Sequence, residues 1–485
     1  MKIGDASLEL VQRVSQRLLR NRPKMVKQLE RVLVPAEEVI KKPIWGCQMC
    51  GQCILHDTGL TCPMGCPKNL RNGPCGGVRP DGMCEVDATK PCVWALGYKR
   101  SQKLPWAEHF YQLNPPVDWT LRGSSSWINL VLQRDHRDLI QPRWNGNTLE
   151  WKNKPLRTGS KLERRLRAGQ FAVTVEIDPP NDVGIDEFIR TARALAPMVD
   201  GMNITDNTRA TIHMSSLAAA ALLTHEGLEP VMQITCRDRN QLALQSDLLG
   251  ASALGIQNVL CLTGDYPTLG DHKWAKPVFD IDSVNLIRYA RQMCDQAIYM
   301  NRQPIKNPPR LFIGGADAPL TEPRDFRPHR LAKKVAAGVD FVQSQLIFDI
   351  AGLRQYMQNV RDMGLDKHVA ILIGVGVLPG PKTARMINEN VPGLEIPEWV
   401  IERMERLPKE KHRDEGIAIA IEMVQQIREI EGVAGIHLTA MFQKGKAEAI
   451  QAIGEAVGFL PREPLPDLLE LPVMVSAPAI VPAAE

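Results

Sequence analysis

The feature that most constrains the fold is a regular alternation, after residue 160, of short apolar runs and longer amphipathic segments. Each run is followed by a segment long enough for a crossover helix. Eight strand and helix pairs predict a (β/α)8 TIM barrel, a fold of the α/β class. The alternative, an open doubly wound sheet, lacks a glycine-rich phosphate turn after its first strand, because Pro179 and Pro180 stand there. The runs are FAVTVEI from Phe171, VDGMNIT from Val199, EPVMQITC from Glu229, NVLCLTG from Asn258, RLFIGG from Arg310, DFVQSQL from Asp340, VAILIGV from Val369 and AGIHLTA from Ala434.

Polar residues and glycines end most of the predicted strands, and in a barrel these ends meet at one face, where functional side chains gather. Glu176 is the first candidate for catalysis, because a charge inside an apolar strand is costly unless it is used or paired. The alternative is an amphipathic strand with Glu176 facing water. No His, Cys or Lys nucleophile is expected at a strand end, which argues against covalent or mononuclear zinc chemistry there. The other strand-end residues are Thr205, Asp206, Gln233, Thr235, Gly264, Asp265, Gly314, Gly315, Gln345 and Gly376.

Cysteines are clustered in a segment before the barrel that is dense in Gly and Pro. Such a segment cannot build its own apolar core and needs cross-links, either disulfides or bound metal. A long chain with no export signal is expected in a reducing compartment, which favours metal over disulfides. The eight clustered cysteines, of eleven in the chain, are Cys47, Cys50, Cys53, Cys62, Cys66, Cys75, Cys84 and Cys92.

The cysteine spacing leaves the metal open. Cys47, Cys50 and Cys53 form Cys-x-x-Cys-x-x-Cys, the opening of a ferredoxin-like four-iron cluster. Eight thiolates suffice for two 4Fe-4S clusters, or for one cluster and a tetrahedral zinc. A purely structural zinc module is the alternative, since paired cysteines separated by loops also describe zinc sites. The remaining cysteines are predicted to be buried apolar thiols: Cys236, Cys261 and Cys294.

Charge and length place further limits on the protein. The formal net charge of +4 is too small to indicate nucleic-acid binding. No apolar run reaches the roughly 18 residues needed to cross a bilayer, and no secretory core follows the N-terminus, so a cytoplasmic protein is expected. The predicted divisions are an N-terminal helical segment at 1–42, a cysteine-rich metal module and connector at 43–155, the barrel at 156–462 and a Pro/Ala-rich tail at 463–485.

The barrel segment carries a series of motifs in a fixed order: VTVEIDPP, ITDN, MQITC, LTGDYP, KKVAAGVDFVQSQLIFD and GVGVLP. This series, over roughly residues 160–460, resembles the flavin-dependent methylenetetrahydrofolate reductases. The resemblance implies a barrel that binds a flavin at the strand ends with a folate stacked on it. It also implies hydride transfer that interconverts 5,10-methylenetetrahydrofolate and 5-methyltetrahydrofolate.

The resemblance assigns roles to individual residues. Glu176 matches a general acid with an expected raised pKa, Asp265 lies close to flavin and pterin, and Gln345 binds the pterin. In the well-known bacterial form, His, Arg and Tyr stand at or near three of the implied flavin contacts, so a nicotinamide as direct electron donor stays open, as does FAD versus FMN. The implied flavin contacts are Thr205, Gln233, Thr263, Gly264, Asp265, Phe279, Gly314 and Lys334.

The cysteine segment, CQMCGQCILHDTGLTCPMGCPKNLRNGPCGG, resembles the partner subunit found with this reductase in acetogenic bacteria, here in one chain with the barrel. The resemblance implies an electron relay or docking platform, with an electron-transfer protein or an NAD(P)H-oxidising subunit as partner. Barrel proteins often associate, so a homo-oligomer is an expectation. Two other functions stay open: a folate-dependent methyltransferase with a corrinoid partner, and an inactive barrel that serves as an assembly subunit with structural zinc.

Overall fold

The computed structural model describes residues 14–19, 21–135, 149–442 and 444–465. The predictions for most of the C-terminal tail, for part of the connector and for the first residues of the chain lie outside these ranges. No helix within the described ranges has the length and apolar character that a membrane span requires.

Eight parallel strands close into a barrel in chain order, which confirms the predicted TIM barrel and excludes the open sheet. The closure is made where β8 pairs with β1, with Val173 opposite Ile436. The strands are β1 Ala172–Ile177, β2 Gly201–Ile204, β3 Pro230–Thr235, β4 Asn258–Leu262, β5 Phe312–Asp317, β6 Phe341–Leu346, β7 Ala370–Val377 and β8 Gly435–Ala440.

Helices form the outer layer of the barrel and part of the segment before it. The connections between successive strands carry α5 to α13, three of them between β7 and β8, and α14 follows β8. The helices are α1 Pro23–Trp45, α2 Val93–Ser101, α3 Ser126–Val131, α4 Lys161–Arg167, α5 Asp186–Leu195, α6 Ser216–His225, α7 Gln241–Ala253, α8 Ser283–Gln296, α9 Arg327–Ala336, α10 Ile350–Asp362, α11 Pro381–Asn390, α12 Glu398–Glu405, α13 His412–Arg428 and α14 Lys446–Ala456.

Strand alternation sorts side chains between the helix layer and the barrel interior. In β1, Val173, Val175 and Ile177 join the main apolar core with the helices. Successive strand residues point to opposite faces, so Thr174 and Glu176 point into the barrel. The floor of the barrel is apolar, because Leu162 and Leu166 of α4 pack there against a second cluster that includes Phe312 and Phe341.

The cysteine-rich segment lies across the mouth of the barrel. Lys68 Nζ donates to the carbonyl of Gly264, 2.8 Å away, after β4. Arg330 and Arg327 of α9 donate to the carbonyls of Asn72 (2.9 Å) and Cys75 (3.0 Å). The segment is therefore part of the wall above the strand ends.

Asp282 joins the cysteine segment to the barrel. It is 1% exposed, and its Oδ1 caps α8 by accepting from the backbone N–H of Asn285 at 2.9 Å. Its Oδ2 accepts from the backbone N–H of Arg71 at 3.0 Å and from Asn72 Nδ2 at 3.2 Å. One carboxylate thus starts a barrel helix and holds two residues of the segment.

Asp282→Ala is expected to lower the free energy of unfolding by about 2–4 kcal/mol, since it removes a helix cap and leaves buried donors of Arg71 and Asn72 unsatisfied. Urea unfolding followed by circular dichroism measures this. Asp349→Ala is the matched control, because Asp349 caps α10 by accepting from Gly352 N–H at 2.8 Å and, within the described residues, makes no hydrogen bond to the cysteine-rich segment. The control should lose only about 1 kcal/mol. Equal losses in both variants would mean that Asp282 does not hold the segment.

Candidate active site at the barrel mouth

A cavity of about 530 Å³ lies at the carboxyl ends of the strands. Its walls come from the barrel and from the cysteine-rich segment together. Residues of the lining that carry polar or reactive groups include Lys68, Cys75, Glu85, Glu176, Gln233, Thr263, Asp265, Lys334, Gln345 and His437. The volume lies within the roughly 300–1,000 Å³ typical of small-molecule sites.

Glu176 stands at the edge of this cavity, and its side chain is 25% exposed. Its Oε2 lies 3.5 Å from Gln233 Nε2 of β3 and 3.8 Å from His437 Nε2 of β8. Its backbone carbonyl accepts from Lys446 Nζ of α14 at 3.1 Å. The carboxylate therefore faces the barrel interior rather than the helix layer.

His437, a residue within β8 that the sequence analysis did not single out, also lines the cavity. Its neighbours Ile436 and Leu438 belong to the outer core, so the strand alternation turns His437 into the barrel. The run AGIHLTA carries this signal, because the histidine is a polar residue on the inward face of β8, paired with Thr174 of β1. Lys446 was also missed, since it belongs to a helix that follows β8 and only the fold brings it to Glu176.

A buried polar chain holds His437 in place below the cavity. His437 Nδ1 lies 3.0 Å from Thr174 Oγ1, which also accepts from Gln343 Nε2 at 3.0 Å. Gln343 and Asn203 exchange two hydrogen bonds, of 2.6 and 3.1 Å. With Nδ1 engaged in this chain, the imidazole presents Nε2 to Glu176.

The pKa of Glu176 differs from the expectation of a raised value. Burial raises it, but the imidazole of His437, whose Nε2 lies 3.8 Å away, outweighs burial together with Lys446 and Gln233 and holds the pKa below its usual range. The difference arises because the sequence did not place an imidazole beside the carboxyl. Glu176 and His437 therefore lie side by side at the cavity.

Seven of the residues implied by the resemblance line the cavity: Glu176, Gln233, Thr263, Gly264, Asp265, Lys334 and Gln345. Gly264 has φ +92°, a left-handed conformation that favours glycine. Lys334 Nζ lies 3.1 Å from Asp317 Oδ1, and burial lowers the pKa of Lys334 to about 8. The pairing of β6 with β7 shifts its register between Gln343 and Leu346, so Gln345 lies in an irregular part of the strand.

Three implied flavin contacts, Thr205, Phe279 and Gly314, are not among the residues that line the cavity. Thr205 is fully buried and its hydroxyl donates to Asp178 Oδ1 at 2.8 Å. Phe279 is 1% exposed and stacks on Tyr266, with 6.0 Å between ring centroids. Gly314 lies deep in β5, where an added Cβ would meet the Phe341 ring at 2.3 Å.

The cysteine-rich segment contributes residues to the cavity that the sequence did not indicate. Lys68 forms a buried ion pair with Glu85, and its Nζ lies 5.9 Å from the centre of the Phe279 ring. Cys75 Sγ lies 3.0 Å from Glu85 Oε2. Spacing along the chain shows no link from these residues to the barrel, because the contacts span about two hundred positions.

The eight clustered cysteines separate into two groups of four. Cys47, Cys50, Cys53 and Cys62 line one small cavity beside α1. Burial raises the pKa of the Cys66 thiol to about 12, with further increases from Cys92 and Cys84. Burial also raises the pKa of Cys75, where Cys92 and Cys66 add to the effect. The second group is therefore Cys66, Cys75, Cys84 and Cys92.

Within the described residues, no three cysteine sulfurs lie within 4.8 Å of one another. Outside the two groups, Cys236 and Cys261 are fully buried, as predicted, and Cys294 is partly buried.

The fold and its mouth define a (β/α)8 barrel protein with a small-molecule site at the strand ends, covered by a cysteine-rich segment. Residues 161–458 match the family described as methylenetetrahydrofolate reductase, and this range is more than half of the chain. The chain belongs to the methylenetetrahydrofolate reductase family. Residues 26–120 match a second family, described as methylene-tetrahydrofolate reductase C terminal.

Similar proteins carry related names. The chain is 24% identical over 312 residues to the "Probable methylenetetrahydrofolate reductase (NADPH)" of Caenorhabditis elegans, covering 61% of this chain and 44% of that protein. It is 25% identical over 268 residues to "Methylenetetrahydrofolate reductase 2" of Saccharomyces cerevisiae, covering 52% and 40%. The chain thus spans less than half the length of these relatives.

Among solved structures, a protein from Clostridium thermocellum that binds two copies of 5-methyl-5,6,7,8-tetrahydrofolic acid is similar at 13% identity. The match covers 62% of this chain and 100% of that one, with a TM-score of 0.44.

Proposed function

We propose that this protein interconverts 5,10-methylenetetrahydrofolate and 5-methyltetrahydrofolate by hydride transfer at a bound flavin, with electrons relayed through two 4Fe-4S clusters. The observation that carries the proposal is the shared cavity: Glu176 and His437 line it from the barrel, and Cys75 of the second cysteine group lines it from above. Proton source and electron source would then meet at one site.

The cavity suits a flavin in size and in its polar groups. Gln233 and Thr263 offer an amide and a hydroxyl, Gly264 lets the backbone approach a flat ring, and Lys334 offers a cation for a phosphate. A bound flavin would supply the hydride that reduces the folate carbon.

The chain's own residues supply positioning and proton transfer. The Glu176 and His437 pair would give a proton to the folate nitrogen as the five-membered ring opens. Asp265 is exposed in the cavity wall, and its carboxylate would stabilise positive charge that develops on the pterin. Gln345 would hold the pterin by hydrogen bonds. The segment from Lys68 to Gly77 would limit the entry of water.

A second cavity of about 530 Å³ suits the rest of the folate. It shares Gln345, Leu346 and Leu394 with the first cavity, so one ligand could extend through both. Phe348 and Trp399 supply apolar surface, which suits an aromatic ring, and Arg324 supplies a cation for a carboxylate.

His437→Asn is expected to lower turnover of 5-methyltetrahydrofolate by about 10-fold or more, because Glu176 loses the imidazole that lies 3.8 Å from its carboxylate. The pH profile of turnover should also shift to higher pH, since His437 lowers the pKa of Glu176 and its loss raises that pKa. Bound flavin should be unchanged. His225→Asn, at an exposed position at the end of α6, is the control. An unaltered rate and pH profile would remove His437 from the proposal.

A buried lysine lies beside the apolar cluster that holds Cys92 of the second cysteine group. Lys333 is fully buried, and its Nζ has no hydrogen-bond partner within the described residues. It lies about 6 Å from the centres of the Trp94, Phe110 and Phe326 rings, whose apolar cluster also includes Cys92. An isolated buried cation is costly, so an anionic group beside it is favoured.

The order of the groups supports a relay. Cys62 and Cys66 flank the short 3-10 helix Pro63–Gly65, so the two groups are adjacent, and Cys75 of the second group lines the barrel cavity. Bound clusters would carry single electrons between a partner and the flavin.

A further inference from the structure

One set of metal-type ligands lies outside the barrel cavity and outside both cysteine groups. His56 and Asp57 belong to the 3-10 helix Leu55–Thr58, and His109 belongs to the 3-10 helix Ala107–Tyr111. One ligand atom from each lies within 4.8 Å of the other two, and no other trio of His, Cys, Asp or Glu in the described ranges is this close. Two imidazoles and a carboxylate are a ligand set that zinc accepts.

The separation of the ligand atoms suits chelation. His109 Nδ1 lies 3.6 Å from Asp57 Oδ1, which is longer than a hydrogen bond. Zinc bonds of about 2.0–2.2 Å to nitrogen and oxygen would hold such atoms about 3.4 Å apart in a tetrahedron. A small movement of either side chain would bring both onto one ion.

Two buried polar atoms beside the trio lack partners within the described residues. Gln112 is 4% exposed, its Nε2 lies 3.4 Å from His109 Nδ1, and its Oε1 has no hydrogen-bond partner. The Trp106 ring stacks on His56, with 5.0 Å between ring centroids, and its buried Nε1 also has no hydrogen-bond partner within the described residues. A water on the metal could donate to Gln112 Oε1, so an occupied site would satisfy a group that is otherwise costly to bury.

We propose that His56, Asp57 and His109 bind a divalent ion of the zinc class. Three protein ligands leave a fourth position open, and His56 is exposed, so water can reach that position. The ion would connect two separate turns, 55–58 and 107–111, and thereby fasten the segment between Cys53 and Cys62 to the residues that follow α2. Its role is therefore structural support beside the first cysteine group.

Zinc uptake by anaerobically purified full-length protein tests this site. Isothermal titration with zinc, with zinc and iron contents by mass spectrometry, is compared for the unaltered protein, His56→Ala, His109→Ala and His272→Ala. His272 is the matched control, since its Nδ1 lies 2.8 Å from Asp271 Oδ1 but no third ligand joins them. The unaltered protein and the control should bind about one zinc per chain, and the other two variants should bind it at least tenfold more weakly.

Two outcomes would overturn the site. One is equal zinc affinity in all four proteins, and the other is a failure of the unaltered protein to bind zinc. Zinc held by cysteines would give the first result and would be lost in Cys47→Ser. Because His109→Ala could disturb the fold, His109→Gln is measured too, with far-ultraviolet circular dichroism equal to that of the unaltered protein as the condition for comparison.

Discussion

Glu176→Gln is expected to lower folate turnover by about 10²–10⁴-fold, the range that a positioned acid contributes, while flavin stays bound. The amide keeps the size of the side chain and can still contact Gln233, but it cannot hold or release the proton. The loss should appear in turnover and much less in flavin content, because the flavin would rest on Gln233, Thr263 and Lys334 in the proposed site. Steady-state oxidation of 5-methyltetrahydrofolate with an artificial acceptor measures the rate.

The control for this variant is Glu187→Gln, at an exposed position in the first turn of α5. It carries the same chemical change far from the cavity and should leave the rate unchanged. Flavin absorbance of both variants shows whether the cofactor is retained. Normal turnover in Glu176→Gln would refute the acid role, whatever the state of His437.

Cys75→Ser should interrupt the electron supply and leave the folate chemistry in place. Cys75 is the member of the second group that lines the barrel cavity, so losing its thiolate should remove or damage the nearer cluster. Reduction of the flavin by a small one-electron donor protein should slow by more than about 10²-fold, and iron content should fall by up to about half. Reduction of the flavin by 5-methyltetrahydrofolate, which needs no cluster, should proceed as before.

Cys294→Ser is the matched control, because Cys294 lies in α8 outside both groups. It should keep the full iron content and both rates. Stopped-flow absorbance separates the two reactions, since each begins from oxidised flavin and differs only in the donor. If Cys75→Ser kept its iron and accepted electrons at the unaltered rate, the relay through this group would be wrong.

The barrel could be predicted because its strands are short apolar runs separated by helix-length segments. The inward position of Glu176 was also accessible, since Val175 and Ile177 flank it and strands alternate. The same alternation marks His437, but an apolar run with one histidine resembles an ordinary core strand. Lys446 could not be found this way, because its contact with Glu176 depends on the packing of α14.

Some residues implied by the resemblance line the cavity and others do not. Gln345 and Lys334 line it, whereas Gly314 packs on Phe341 in the interior and Thr205 bonds to Asp178. Position in a motif does not fix the direction of a side chain near a strand end, where one residue of register changes its face. The expected raise in the pKa of Glu176 is not seen for a related reason. The imidazole beside it belongs to β8, which pairs with β1 in space but lies far from it along the chain.

The position of the cysteine-rich segment could not be derived from its own residues. Spacing indicated metal, but the division into two groups and the contact of Lys68 with Gly264 arise only when the chain is folded. The ion pair of Lys68 and Glu85 and the carboxylate of Asp282 stabilise that contact. The distance from the cysteine groups to the barrel cavity decides whether electrons could pass between them. That distance depends on how the segment packs on the barrel.

The measurement that tests the account most directly is an anaerobic absorbance spectrum of the full-length protein, with flavin, iron, sulfide and zinc counted on the same sample. Two four-iron clusters and a flavin predict about eight irons, about eight sulfides and about one flavin per chain, with visible absorbance from both. Addition of 5-methyltetrahydrofolate should then bleach the flavin band. A colourless protein that contains zinc without iron or flavin would contradict the proposed reductase and its relay together.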